Sequence, residues 1–446
     1  MEKYMNKEIW KRTYEPDFFC ISPVLNSPYP LMKLIFLNRF FSPDHSATSQ
    51  LLTDLAFHLA DAGHEVHVIC SRQLYESPEA QLMAFDQVRS VQVHRVWTSR
   101  FGRTNLVGRA SDYLSFYLSA TIKLFLLADP NTVVVAKTDP PLISVPASWA
   151  ARWRGSCLIN WVQDMFPEAA VELGVKALGG RLGGWVCRLR DNSLRAATMN
   201  VVLGEHMAEK IKARGVDAAR IRIIPNWADG DAIKPLPADA NLLRTEWNLM
   251  RKFVVMYSGN MGRGHEFETI LGAAALLQED TRFVFLFVGG GHQRSVLGIE
   301  AVHRGLTNVQ FKAYQPREQL GLSLAVGDVH LISLRPELEG LILPSKFYGV
   351  LAAGRPVVFV GALDGEIARQ VSHADCGVTV EQGDAQGLAA ELRRMADIPA
   401  NCERMGNNGR RLFDNALSQP MALAAWKTVL SEQDAQSTAA RGSELQ

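Results

Sequence analysis

The sequence predicts an α/β protein with two tandem domains, each built on a doubly wound parallel sheet. The chain has 446 residues, which is too long for one ordinary domain. From Met32 onward, short apolar runs alternate with amphipathic segments, a pattern typical of buried parallel strands connected by helices. The alternation restarts after a proline-rich segment near residue 230, so we expect a second sheet there.

The first predicted domain covers residues 32–230. The run "KLIFLN" predicts a buried strand, and "SQLLTDLAFHLADAG" predicts a helix with Leu52, Leu55 and Leu59 on one face and Gly63 at its end. Further strands are predicted at "HEVHVIC", "TVVVAK", "CLINWVQ" and "MNVVLG", each followed by a helix-like segment.

The second predicted domain covers residues 231–414 and follows the linker "IPNWADGDAIKPLPADA". Its strands are predicted at "FVVMYSG", "FVFLFVGGG", "VQFKAY", "VHLISL", "RPVVFV" and "GVTVE". A C-terminal helix is predicted over 415–431, with a return to the first domain as one option, and 432–446 is predicted to be a polar tail. Residues 1–31 lack a regular pattern and are expected to form a poorly ordered extension.

The composition argues against several other classes of protein. Lys plus Arg number 47 and Asp plus Glu number 46, so no nucleic-acid partner is expected. The six cysteines form no C-x-x-C pair, which favours reduced thiols in a cytosolic protein over a disulfide framework or a zinc site. The nearest candidate for a spanning helix has 16 residues and contains Lys123, so none is expected.

Two loops of the first domain carry candidate binding residues. Ser46, Ala47 and Thr48 precede a helix after the first strand, where small residues let backbone N–H groups approach an oxygen-rich ligand. Asp164 and Glu168 follow a buried strand and are placed to meet a substrate hydroxyl. The alternatives are a simply capped helix for the first loop and a turn cap for Asp164.

Two loops of the second domain combine glycines with polar side chains. "YSGNMGRGHE" contains Gly259, Asn260 and Arg263, and "VGGGHQ" contains Gly290. Glycines let the backbone approach a diphosphate, and an arginine binds its oxygens with a forked pair of donors. The spacing matches neither a dinucleotide fingerprint nor a Walker A loop, so each loop alone is a weak signal.

The stretch "LPSKFYGVLAAG" places Pro344, Ser345 and Lys346 at the start of a predicted helix. The lysine adds a full charge to the positive end of the helix dipole, which favours an anion. The alternative is that proline and serine only begin the helix. Together, the four loops favour a nucleotide-diphosphate site in the second domain and an acceptor site in the first, facing each other across a cleft.

Residues 94–127 combine basic and aromatic side chains with a single acid, Asp112. The basic residues are Arg95, Arg100, Arg103, Arg109 and Lys123, and the aromatic ones are Trp97, Phe101, Tyr113, Phe116, Tyr117 and Phe125. Such a segment suits the surface of an anionic membrane. The alternative is an ordinary helix packed on the sheet with solvated arginines.

Several of these motifs resemble bacterial family 4 glycosyltransferases with the GT-B fold, in particular the O-antigen, capsule and colanic acid (N-acetylfucosamine-type) transferases. The resemblance covers about residues 32–430. It rests on "FFSPDHSATSQLLTDLAFHLADAGHEVHVI", "VQDMFPEAAVELG", "IPNWAD", "YSGNMGRGHEFETI", "LPSKFYGVLAAGRPVVF" and "CGVTVEQGD".

The resemblance implies a nucleotide-sugar donor held by the second domain, transfer with retention of anomeric configuration, and neither a cofactor nor an obligatory metal. Without a metal, Arg263, Lys346 and the amides near Ser345 would neutralise the leaving diphosphate. Tyr314 falls at the position where the backbone of the family's members contacts the nucleotide base.

The chain also departs from the family pattern at several positions. Relatives carry a pair of glutamates, and here Leu341 and Gly349 stand in those places, with Glu339 two residues upstream of the first. The family's arginine and lysine after the first strand of the second domain fall on Asn260 and His265. In the first domain, Gln163 stands where relatives often have a histidine.

The leading hypothesis is therefore a retaining glycosyltransferase with a UDP-linked donor and a polyprenyl-diphosphate-linked sugar acceptor. It would be cytoplasmic and peripheral on the inner face of the cytoplasmic membrane. Two other hypotheses stay open. A GT-B isomerase, such as a UDP-N-acetylglucosamine 2-epimerase, would convert a nucleotide sugar without an acceptor, and a non-catalytic GT-B scaffold would bind without turnover.

Overall fold

A computed structural model describes residues 31–77, 79–102 and 106–444. The predicted extension 1–31 lies outside these ranges except for its last residue, and so does Arg103 of the basic stretch. The described residues form two compact units. The first contains the residues up to Ile224 together with those from Leu423 onward, and the second is Pro225–Ala422.

The first unit is built on an eight-stranded sheet in the order β3-β4-β2-β1-β5-β6-β7-β8. The strands are β1 Lys33–Leu37, β2 Glu65–Ser71, β3 Phe85–Val88, β4 Val91–Val96, β5 Thr132–Lys137, β6 Cys157–Trp161, β7 Met199–Val202 and β8 Ile221–Ile223. The pairings are parallel except for β3, which lies antiparallel to β4 at one edge. The predicted parallel sheet is confirmed, while β3, β4 and β8 were not predicted as strands.

Helices cover the sheet of the first unit, and the apolar faces of these elements form its core. The helices are α1 Ala47–Asp61, α2 Leu106–Leu127, α3 Ser144–Arg154, α4 Glu168–Glu172, α5 Gly180–Ala196 and α6 Glu205–Lys212. Phe116 of α2 and Ile35 of β1 are fully buried in one core cluster. Two residues after α1, Gly63 adopts a φ of +93°, a left-handed conformation that glycine allows at little cost.

The second unit is built on a six-stranded parallel sheet in the order β11-β10-β9-β12-β13-β14. Its strands are β9 Phe253–Ser258, β10 Phe283–Val288, β11 Val309–Lys312, β12 Val329–Ser333, β13 Val357–Gly361 and β14 Gly377–Glu381. All six lie where the apolar runs predict them. Its helices are α7 Leu242–Glu246, α8 Glu268–Leu276, α9 Arg294–His303, α10 Leu320–Leu324, α11 Lys346–Ala352, α12 Glu366–Ala374, α13 Ala385–Asp397 and α14 Pro399–Leu412.

The last helix, α15 Gln419–Glu444, follows a short π-helical segment and continues through most of the region predicted as a polar tail. Its residues from Leu423 onward belong to the first unit. Trp426 packs edge-on against Trp161 of β6, with ring centroids 4.8 Å apart, and both rings are fully buried. Within the described ranges, no helix combines the length and apolar character needed to span a bilayer.

Candidate active site

The loops after β9 and β10 in the second unit are fitted together through their backbones. Met261 N donates to Gly290 O at 2.7 Å, and Gln293 N donates to Met261 O at 3.0 Å. A Cβ at Gly291 would lie 2.2 Å from Asn260 Oδ1, so only glycine fits there. The structure therefore brings the two predicted glycine loops side by side at the carboxyl end of the sheet.

Lys346, the first residue of α11, reaches the loop after β9. Its Nζ donates to Tyr257 Oη and lies 3.2 Å from His265 Nε2. It also sits over the Tyr257 ring at 3.9 Å from the centroid. Because His265 Nδ1 faces Ser333 O at 2.6 Å, and a carbonyl can only accept, we assign the ring proton to Nδ1. The Nε2 lone pair then accepts from Lys346.

The Lys346 ammonium has an electrostatic environment suited to an anion. Burial lowers its pKa well below the usual value, and in the described part of the chain no carboxylate forms a salt bridge with it. Burial and then the Lys346 charge lower the pKa of His265 to about 3, so this ring is neutral at physiological pH. A partly buried cation whose described neighbours are neutral is favoured by an incoming anionic group.

Lys346 also lies beside one of the positions at which the chain departs from the family pattern. His265 stands where the resembling family has a lysine, and the Lys346 ammonium lies 3.2 Å from the His265 ring. Lys346 of α11 thus places its ammonium beside the loop after β9. Tyr257 was not predicted as a site residue because, at the end of β9, it reads as one more apolar position of a buried strand. Its hydroxyl also donates to Asn260 O at 2.8 Å and so ties Lys346 to the glycine loop.

Of two further predicted residues, one lies in these loops and the other beside them. Arg263 is exposed, and its Nη2 donates to His292 Nε2 at 3.0 Å, which links the loops after β9 and β10. Tyr314 follows β11 and is 55% exposed. A Cβ on Gly290 would lie 3.0 Å from its ring, so the ring covers the glycine backbone closely.

The remaining predicted residues of the second unit lie at helix starts or contact them. Ser345 occupies the N-cap position of α11, but its side chain accepts no capping hydrogen bond, and Pro344 O accepts from Phe347 N at 3.3 Å. Glu339 Oε2 accepts from the backbone N–H of Glu366, the first residue of α12, at 3.3 Å. Glu339 therefore stabilises a helix start, whether or not it also meets a donor.

Asp164 lies three residues beyond the end of β6 in the first unit, and solvent reaches its side chain. Its pKa is nevertheless raised to about 6, first by desolvation and second by the charge of Asp139. Desolvation and the like charge of Asp139 both disfavour the ionised carboxylate. No hydrogen bond to its carboxylate is present in the described ranges, so Asp164 is not the turn cap that the alternative required.

Glu168, by contrast, forms salt bridges with two arginines. Its Oε1 accepts from Arg190 Nη2 at 2.7 Å and from Arg214 Nη2 at 3.0 Å, and its Oε2 accepts from Arg190 Nη1 at 3.0 Å. Burial would raise its pKa, but Arg190 and Arg214 together lower it. This ionised carboxylate holds the start of α4 to α5 and has little freedom left for a substrate.

The loop after β1 is also tied internally. Ser46 N and Ser46 Oγ both donate to Asp44 Oδ1, the backbone bond at 2.8 Å. Ala47 and Thr48 already belong to α1, and Thr48 Oγ1 donates to Asp139 Oδ2 at 2.5 Å. Asp139, which was not predicted as a site residue, thus connects the loop after β5 to α1 and also raises the Asp164 pKa.

A metal site was not predicted, and among the described residues no group of three or more His, Cys, Asp or Glu side chains is placed to hold a metal ion. Metal independence remains a prediction, since a ligand can supply part of a coordination shell.

Two Rossmann-like units in sequence, the second with glycine loops beside a desolvated lysine, define a protein of the GT-B class. HepE from Anabaena, solved in complex with UDP, has a TM-score of 0.67 at 15% identity, over 90% of this chain and 100% of that one. A sucrose-phosphate synthase from Thermosynechococcus elongatus has a TM-score of 0.72 at 16% identity, over 91% of this chain and 100% of that one. These likenesses confirm the predicted fold.

The sequence comparisons identify the family. Residues 48–227 match the "Glycosyl transferase 4-like domain" family, and residues 241–412 match "Glycosyl transferases group 1". The chain belongs to the bacterial GT-B glycosyltransferases that these two domains define. It is 26% identical over 383 residues to the putative colanic acid biosynthesis glycosyl transferase WcaI of Escherichia coli, covering 82% of this chain and 93% of that one. It is 27% identical over 331 residues to the probable glycosyltransferase WbjE of Pseudomonas aeruginosa, covering 73% and 81%.

Proposed function

We propose that this glycosyltransferase moves a sugar, with retention of anomeric configuration, from a UDP-linked donor to a sugar carried on a polyprenyl diphosphate. The product would enter a cell-surface polysaccharide such as O-antigen, capsule or lipopolysaccharide. The proposed donor sugar is a hexose or N-acetylhexosamine, and neither a cofactor nor a metal takes part. The proposed setting is the inner face of the cytoplasmic membrane, with peripheral binding to anionic lipid.

The Lys346 environment carries this proposal. Its ammonium donates to Tyr257 Oη and lies within hydrogen-bonding reach of His265 Nε2, and both partners are neutral. A third N–H is left for a ligand oxygen. As the bond between the sugar and the diphosphate breaks, negative charge grows on the leaving diphosphate. A fixed cation in a poorly solvated position stabilises that state more than it stabilises the bound donor.

The glycine loops support the diphosphate assignment. Gly259 and Gly291 have φ values of +121° and +122°, and a Cβ at Gly259 would lie 3.7 Å from Lys346 Cε. The loop backbone therefore runs next to the ammonium without intervening side chains. Arg263, exposed at the same loop, supplies a second cation. The choice of UDP follows the solved GT-B neighbours that contain UDP or UDP-glucose.

The acceptor half of the proposal rests on Asp164. A carboxylate with a pKa near 6 is largely ionised at neutral pH and basic enough to orient or take up a hydroxyl proton. The pathway follows the relative named for colanic acid biosynthesis, and the acceptor class follows the resemblance of the motifs to the O-antigen and capsule transferases. Glu168 has a structural role in this scheme, since its carboxylate forms salt bridges with Arg190 and Arg214.

A panel of nucleotide sugars tests the proposal. UDP release would be measured with and without a lipid-linked sugar acceptor, in the presence and absence of EDTA, and the product's anomeric configuration would be read by NMR. We expect acceptor-dependent release that EDTA does not alter. Conversion of the nucleotide sugar without an acceptor would favour the isomerase, and binding without turnover on any acceptor would favour the scaffold.

A further inference from the structure

The stretch 94–127 is not one amphipathic element in the structure. It begins within β4, and Arg95 is buried there in a salt bridge to Asp86 at 3.1 Å. The remainder contains α2, whose inner face buries Phe116, Ala120 and Leu124 in the core. The stretch therefore does not present one continuous face to solvent, and α2 presents only its outer face.

The outer face of α2 carries a row of exposed apolar side chains. Val107, Leu114, Leu118, Ile122 and Leu126 are all exposed, and their spacing places them along one side of the helix. Leu126 is 71% exposed. A helix that is apolar on both its inner and outer faces is unusual at a surface in contact with water, and such a patch marks an interaction site.

Helix α3 extends this patch with two tryptophans that the sequence reasoning did not single out. Trp149 and Trp153 are exposed, the latter at 82%, and they face Ile122, Phe125 and Leu126 across an open apolar groove of about 350 Å³. We call the outer face of α2 together with Trp149 and Trp153 the α2–α3 surface.

The charges on these two helices select one kind of partner. Arg109, Lys123, Arg152 and Arg154 are the basic residues of α2 and α3, and the guanidinium of Arg154 lies 5.2 Å from the centroid of the Phe125 ring. The single acid, Asp112, is buried and accepts from Ser99 Oγ at 2.7 Å and from the Phe101 and Gly102 N–H groups. Neither helix therefore presents an exposed acid.

We propose that the α2–α3 surface inserts into an anionic lipid bilayer, with Trp149 and Trp153 at the boundary between headgroups and acyl chains. Tryptophan favours that boundary because its ring is apolar and its N–H is polar. The basic residues beside the groove meet anionic headgroups while their aliphatic stems remain in the apolar layer. This deepens the proposed function by naming the membrane-binding surface, but it needs no particular donor or acceptor.

Vesicle co-sedimentation of the full chain tests the proposal. Phosphatidylglycerol–phosphatidylcholine vesicles would be compared with vesicles of phosphatidylcholine alone. The double variant W149S/W153S should lose at least about tenfold in binding to the anionic vesicles. Arg152→Glu should lose about fivefold or more, most at low salt. The matched controls I299S/V302S and Arg251→Glu, exposed residues of the other unit, should bind like the parent.

Circular dichroism shows which variants are folded. If W149S/W153S does not fold, the binding of Arg152→Glu decides the test. Brominated lipids should quench part of the parent's tryptophan fluorescence, and W149S/W153S should lose that part. Parental binding and quenching by folded variants would overturn the proposal. So would a parent dimer that dissociates in W149S/W153S, since a second copy of the chain would then cover the surface. The assays contain no sugar, so failed transfer and failed lipid binding are distinguished.

Discussion

Lys346 is the side chain whose surroundings most restrict what the second unit can bind. Its pKa is lowered because the ammonium is desolvated, and its two hydrogen-bond partners, Tyr257 and His265, bring no negative charge. A lysine in this condition lowers the stability of the free protein, since the unfolded chain would hold the proton more tightly. A bound anion would offset this loss of stability by pairing with the ammonium.

Lys346→Ala should therefore lower turnover by about 10²–10³ without lowering the melting temperature. Turnover per folded molecule and thermal unfolding would be measured together, with Lys234→Ala as the control because its side chain is 67% exposed in the same unit. Lys346→Arg should keep part of the activity, since the charge survives in another geometry. Early melting with full turnover would assign Lys346 to the helix start alone.

Asp164→Asn should lower turnover without lowering stability. Because the folded state raises the carboxyl pKa from 3.8 to about 6, ionising Asp164 opposes folding as the pH rises through this range, and the cost is complete above it. The variant should thus melt no lower than the parent at alkaline pH. The parent's turnover should fall as the pH drops through about 6, and Asp61→Asn, an exposed carboxylate on α1, should behave like the parent. A variant with unchanged turnover would remove Asp164 from the mechanism.

At the scale of the elements, the loops after β9 and β10 pack so closely that a Cβ added to Gly291 in one loop would clash with Asn260 in the other. Gly291→Ala should destabilise the protein by about 1–3 kcal/mol more than Gly383→Ala. Both positions have a left-handed φ, +122° and +93°, but only a Cβ at Gly291 meets atoms of the neighbouring loop. Denaturant unfolding measures the difference, and equal losses would show that the loops can separate.

Glu339→Ala should cost about 1 kcal/mol through the lost contact with the first N–H of α12. Glu337→Ala is a suitable control because its side chain is 52% exposed and 3.6 Å from Arg335. Chemical unfolding and the KM for the donor would be measured on both variants. An altered KM with unchanged stability would instead place Glu339 in donor recognition.

The sequence predicts the elements with continuous apolar runs and misses those that lack them. All six strands of the second unit come from such runs, whereas β3 is largely exposed and β8 has three half-buried residues, so their patterns are weak. In the site, Lys346 and the glycine loops are predictable from local spacing. The contacts of Lys346 with Tyr257 and His265, and the effect of Asp139 on Asp164, are not, because each joins residues on different strands or loops.

At the scale of the whole molecule, the proposed donor and the proposed lipid surface bind to different units. UDP would contact the loops after β9 and β10 and Lys346, all within Pro225–Ala422, and lipid would contact α2 and α3 in the other unit. A ligand that binds only the folded state suppresses opening of the segments it contacts, so protection from hydrogen exchange reports where each one binds.

Hydrogen exchange of the full chain should therefore give two separate footprints. Adding UDP should slow exchange in residues 259–265 and 289–293, and Lys346→Ala should weaken this effect because the ammonium no longer attracts the diphosphate. Adding anionic vesicles should slow exchange in α2 and α3, and Lys346→Ala should leave that footprint intact. Vesicles of phosphatidylcholine alone provide the control. Slowed exchange in α2 and α3 alone on addition of UDP would place the nucleotide in the first unit and contradict the assignment of Lys346.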